Sequence, residues 1–407
     1  MVDVLLKTEL ENLPKFQSLV KYIKLPSFSQ KVKSMLSLWF KRIEKCFKQW
    51  EKHERKIISS LVEKPSSIGE VDNFIPEELR QQIREKCKKN IVVKMNFPIP
   101  GTQENRTFFI HICLMNKHTY DNIYNMIQLI YVWLCFVNDF VEKRCSTTVD
   151  IYIYMIPEKK DLPEENKTID TEDINTAFTT TCQVKTTVTI FREEEWFRAL
   201  IHESFHNLGL DFIRMDHSQL KEQEDMIRNT FFVNISDIRL YETYCEMWAE
   251  TLNLMFYSFI KDPLRKDSLF SKLLIYERTF ALWQCSKLLN HSGIKYDELF
   301  IKEKAKKYSE KTQGFSYFVL KSILSVHFDQ FLEFCANQFS GNRVTLAFKR
   351  DYKNLQKYTK LFLYNAKSKN MLVGTAYMNS MLKIIKSKKK KGTFIKTLRM
   401  SLFEIEI

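Results

Sequence analysis

Glycine and proline are scarce, at 8 and 9 residues in a chain of 407, about a third of their ordinary combined usage. So few turn-formers predict long helices and exclude an all-β sandwich or a linker-rich array. A long unbroken hydrophobic run is also missing. The most apolar stretch, Ile123 to Phe140, is interrupted by Asn125, Gln128 and Asn138, and its clean core of about eight residues is far short of the ~20 a bilayer span requires. It reads as a buried core helix, with no transmembrane segment expected. None of the nine cysteines forms a CxxC pair, which excludes a cysteine zinc knuckle and predicts reduced thiols in an intracellular, cytoplasmic setting. The opening MVDVLLKTELENL carries acidic residues where a secretion signal needs a basic and then an apolar region, so no signal is expected. The Asn-x-Ser/Thr triplets at Asn105, Asn166 and Asn234 accordingly read as chance. No repeat of 20 to 50 residues stands out.

What the chain has is apolar mass, 44% of its residues, with 28% charged, enough for a sizeable core and two or three domains. Its net charge of +14 is concentrated at one end, because Asp351 to Ile407 holds 13 Lys/Arg against 3 Asp/Glu. The run Lys386, Lys388, Lys389, Lys390 and Lys391 is a candidate contact for nucleic acid or an acidic surface, or simply a solvated stretch. The abundance of Lys, Ile and Phe suggests an AT-rich genome and is compatible with virus-infected cells or virions. Helical spacing dominates residues 1–89, with breaks expected near Pro26 and at Lys64 to Gly69. Extended runs follow at 91–99, 107–115, 147–156 and up to Phe191, VDIYIYMI giving the clearest alternation. Helices return beyond Arg192. The expected division is a helical region at 1–89, an α+β lobe at 90–215, a helical lobe at 216–350 and a basic helical tail at 351–407.

The segment Glu193 to Gly209, EEEWFRALIHESFHNLG, carries the sharpest chemistry. Three glutamates are expected in a first helical turn, where the dipole favours negative charge, and Gly209 in a left-handed cap, giving about four turns. His202 and His206, four apart, project side by side and can bind one metal ion. Glu203, rotated about 100° from His202, can reach a water on that ion as general base. The bland alternative is an amphipathic helix with two ordinary histidines.

Ile201-His202-Glu203-Ser204-Phe205-His206 resembles the zincin metallopeptidases, whose HExxH helix packs under a sheet. That resemblance implies a Zn2+ cofactor, a small mixed sheet over this helix and a helical lobe beyond it. The metzincin branch would require a ligand at Phe212, where Asp211 falls one residue early. The gluzincin branch takes a Glu from a downstream helix, and Glu246-Met247-Trp248-Ala249-Glu250 is similar to its motif. On this resemblance Glu246 is the third zinc ligand and Glu250 the carboxylate that holds the ring of His202. Independently, Glu242, Glu246 and Glu250 form a like-charge stripe at i, i+4, i+8 that a buried cation would relieve. Glu242 therefore stays open as the ligand, and so does a solvated acidic face.

The resemblance further implies peptide hydrolysis and an oxyanion donor from the helical lobe, for which Tyr308, Tyr317, His291 and His327 are candidates and Tyr317 the first choice. Asn175 to Phe178 loosely resembles the edge strand on which such enzymes lay a substrate, although an ordinary strand is the simpler reading. His53, His111, His118 and His217 lack partners in any pattern. The alternatives are a catalytically silent protein of the same fold and a nucleic-acid-associated protein acting through its lysine-rich tail.

Overall fold

The computed structural model describes residues 7, 11–12, 19–20, 23, 27–65, 73–87, 89–113, 119–165, 167–235, 237–339, 344–387 and 393–405. Six strands, β1 (Val62–Pro65), β2 (Lys89–Pro98), β3 (Asn105–Cys113), β4 (Thr148–Tyr154), β5 (Ala177–Thr179) and β6 (Lys185–Ile190), form one sheet in the order β1-β2-β3-β4-β6-β5. β2 and β3 are antiparallel, with Asn90 opposite Cys113. β3, β4 and β6 run parallel, and β5 returns antiparallel along β6 as an edge. Period-two alternation sets the faces: Val149, Ile151 and Ile153 of β4 are buried while Asp150, Tyr152 and Tyr154 are partly exposed. Mixed strand directions with many helices make this an α+β protein.

The helix Tyr120–Val137 crosses from β3 to β4 and is almost wholly buried after its first turns. With its extension to Phe140 it is long and apolar enough, by length and composition, to cross a membrane, yet 61% of the tested window is buried inside the fold. The helix Gln30–Ile58, capped by Ser29, lays Trp39 edge-on against Trp248 at 5.0 Å. One continuous apolar core thus joins N-terminal to C-terminal residues, from Leu19 to Ile405.

Three expectations need correction. The linker expected from Lys64 begins as strand, because Lys64 and Pro65 pair with β2 at the sheet edge, where a proline costs no ladder bond; residues 66–69 lie outside the described residues. The helix expected from Glu193 starts at Trp196 and spans 12 residues, with Glu195 in a left-handed conformation at φ 59°. The three glutamates therefore precede the helix, and Glu195 faces buried cations instead of a dipole. Finally, four cysteines are paired, Cys87 with Cys113 and Cys145 with Cys182, whereas Cys46, Cys135, Cys245, Cys285 and Cys335 are free. These partners are 26 and 37 residues apart, brought together by the sheet and by no local motif. In the tail, Lys386 pairs with Glu165 at 3.1 Å; Lys388, Lys389, Lys390 and Lys391 lie outside the described residues.

Candidate metal centre

Two crossing helices build the site. The His helix (Trp196–Asn207) is buried along its whole length, wedged between the strands β5 and β6 and the Glu helix (Leu240–Lys261). Its end is fixed by Gly209, whose φ of +64° favours glycine and whose absent Cβ would lie 3.1 Å from the sulfurs of Cys145 and Cys182. Leu210 N–H donates back to the Phe205 carbonyl at 2.8 Å, a Schellman closure. The reversal brings Asp211 under the helix, its carboxylate 2.5 Å from His206 Nδ1.

The Glu helix presents its carboxylates on successive turns. Glu242 Oε2 lies 3.2 Å from His202 Nε2 and 3.2 Å from His206 Nε2, and the two Nε2 atoms are 3.2 Å apart. These donors form an equilateral, buried triangle that can hold a metal ion. A second grouping, His206, Asp211 and Cys245, shares His206 through its other ring nitrogen. Zinc bonds of ~2.0–2.1 Å in tetrahedral geometry put donor atoms about 3.3 Å apart, so the triangle fits such an ion.

Glu246, expected as the third ligand, sits on the other side of the ring: its Oε1 is 2.9 Å from His202 Nδ1, and its Oε2 accepts from Arg198 Nη1 at 2.7 Å. Glu250, expected at His202, is paired with Lys321 Nζ at 2.6 Å. The carboxylate register is therefore displaced by one helical turn, with Glu242 in the position assigned to Glu246 and Glu246 in that assigned to Glu250. Each imidazole thus has a carboxylate on Nδ1, an arrangement that orients metal-ligating rings and raises their basicity.

Electrostatics mark the triangle as a place that demands positive charge. Burial alone would push the His202 ring down, but Glu246 and Glu242 beside it raise it to about 9. His206 likewise rises well above its ordinary value, burial being outweighed by Cys245, Glu242 and Asp211. Burial would raise Glu242, but His206 and His202 hold it well below the carboxylate range. Glu246, opposed by burial but held by Arg198 and His202, falls to about 2.

Glu203 is buried beside these groups, and burial raises its carboxyl against the pull of His202 and His206. No described side chain hydrogen-bonds that carboxylate. It lines a cavity of about 50 Å³ whose walls include His202, Tyr317, Ala199, Asn175 and Thr176, and Ala177 at the start of β5. Tyr317 belongs to a buried π-helical turn, Phe315–Leu320, and its hydroxyl donates to Glu242 Oε2 at 3.2 Å. The other donor candidates are engaged elsewhere: Tyr308 with Glu310, His291 with the Lys167 carbonyl and His327 with Ser368. His53 bonds Tyr131 and His111 stacks on Tyr152; His217 is exposed at the start of the helix His217–Phe231, and His118 lies outside the described residues.

Sequence reasoning missed Arg198, Lys321 and the orienting role of Asp211. For Asp211 a signal existed, since a glycine cap followed two residues later by an aspartate folds that side chain back toward the last turn. Arg198 and Lys321 carry no such local mark. Comparison with protein families, with curated proteins and with solved structures finds no match.

Proposed function

We propose that this chain is a zinc-dependent metallopeptidase of zincin type, with His202, His206 and Glu242 holding the metal. The observation that carries the proposal is the 3.2 Å triangle of two Nε2 atoms and one carboxylate oxygen, beside a buried glutamate that no described side chain hydrogen-bonds. A structural metal site would have no need of Glu203. When bound, zinc supplies Lewis acidity, acidifying a water and polarising a carbonyl.

The chain's own residues supply the rest. Glu203, its proton affinity raised by burial, accepts the proton of the attacking water and hands it to the leaving amine. Tyr317 is close enough to turn its hydroxyl from Glu242 to a developing oxyanion. The edge of β5, whose Ala177 borders the cavity, is suited to adding a substrate peptide as a further strand. Glu246 and Asp211 hold the two rings so that both Nε2 atoms point to one place.

The test is hydrolysis of a peptide library by zinc-loaded protein beside Glu203→Gln. Wild type should cleave, and the variant should keep its zinc but lose about 10²–10⁴-fold in turnover. A wild type that holds zinc and cleaves nothing would overturn the peptidase reading.

A further inference from the structure

Beyond the lysine-rich run the chain does not trail away. Thr397 to Phe403 are all buried, none more than 6% exposed. This strap is gripped through its backbone by polar side chains of the body. Glu195 accepts the N–H groups of Met400 and Ser401 at 3.1 and 2.7 Å. Glu277 accepts those of Leu402 and Phe403 and the Ser401 hydroxyl. Asn253 donates to the Phe403 carbonyl, Gln284 to that of Arg399 and Lys321 to that of Met400. Lys321 also neutralises Glu250, so strap and carboxylate stripe share one buried network. Bonds of this number and burial offset the entropy lost in ordering the strap and hold it in one position.

That position puts Met400 at the candidate site. Its sulfur is 3.2 Å from Arg198 Nη2, one helical turn before His202, and its side chain forms a wall of the cavity that holds Glu203. With Met400 in place about 50 Å³ remains, far below the ~150 Å³ of a cavity that admits benzene. Ala177 and Ala199 share its lining, so Met400 is one of the bulkier side chains that limit the space.

We propose that the strap makes Met400 the size-selecting residue of the cleft, restricting the site to peptides with Gly, Ala or Ser beside the scissile bond. The inference rests on the peptidase reading. Selection is steric: a longer side chain would collide with the thioether, whose sulfur is held at 3.2 Å by Arg198 Nη2 on a main chain fixed by the strap's bonds.

The experiment compares wild type with Met400→Ala, both zinc-loaded, on a peptide library varied at the residues flanking the cleaved bond. Removing the thioether beyond Cβ should shift the ratio of Leu to Ala acceptance by about tenfold or more. It should also speed the stripping of zinc by 1,10-phenanthroline, a readout independent of turnover. Met400→Leu, which changes shape more than volume, should shift the ratio less than Met400→Ala. A zinc-bound Met400→Ala with unchanged preference would overturn the inference, as would a wild type that cleaves beside Leu or Phe as readily as beside Ala, whatever the variant does. A wild type that cleaves nothing would overturn the peptidase reading itself and this inference with it.

Discussion

The two ends of the glutamate stripe on the Glu helix solve the same electrostatic problem differently. Toward the helix C-terminus, Glu246 and Glu250 are buried against protein cations, Arg198 and Lys321. At the first turn, Glu242 is also buried but faces two imidazole nitrogens and a tyrosine hydroxyl. Among the described residues the nearest fixed cation, Arg239, is 4.0 Å away and is itself paired with Asp237. The protein provides its own countercharge for two carboxylates and leaves the third to be completed by protons or by a metal ion. A buried cluster of like charge is thus informative only when the partners of each member are traced.

The largest expected break in this comparison is Glu242→Ala, which should abolish zinc binding, a drop greater than the 10–100-fold typical of groups that orient ligands, seen as loss of zinc from the purified protein. Next comes Lys321→Met, which strands Glu250 without a countercharge and should destabilise by about 3–5 kcal/mol in denaturant titration while zinc binding persists. Glu246→Gln should weaken zinc affinity by about 10–100-fold through His202, measured by competition with a chelator. Zinc at a hundred times its dissociation constant should stabilise the fold by about 2.7 kcal/mol, and a melting curve should show no such gain for Glu242→Ala.

The last break is a slope with pH. Burial, aided by Glu250, pushes the Glu277 carboxyl up from its ordinary 4.5 to about 8. The folded state therefore keeps a proton that the unfolded chain gives up, and this contribution to stability is fully present below about pH 4.5 and lost as pH rises through about 8. Glu277→Gln, which carries no charge, should lack that slope and gain stability relative to wild type at pH 8 compared with pH 5. Equal slopes in the two proteins would mean that Glu277 is charged within the fold.

Much of this was legible in the residues. Strand alternation around Val149 to Ile153 and the switch to helical spacing after Arg192 gave the α+β class and the order of elements, because period and burial are local properties. His202, His206 and Glu203 were legible for the same reason, since a single helix sets their spacing. The carboxylate register was not, because Glu242, Glu246 and Glu250 are equivalent in sequence and differ only in what packs against them. The cations that distinguish them come from elsewhere: Arg198 precedes Glu246 by 48 residues, while Lys321 lies far downstream of Glu250. Glu193 to Glu195 misled for a related reason, as a cluster of acids before a helix looks the same whether it faces solvent or, like Glu195, the buried Lys160 and Arg198. The burial of the strap was invisible beside the lysine run that precedes it.

The most direct test of the account is the zinc content per chain of wild type, Glu242→Gln and Glu246→Gln, prepared identically with excess zinc and freed of unbound metal. The account predicts one zinc in wild type, almost none in Glu242→Gln and substantial retention in Glu246→Gln. Full zinc in Glu242→Gln together with its loss from Glu246→Gln would contradict it and return the third ligand to Glu246.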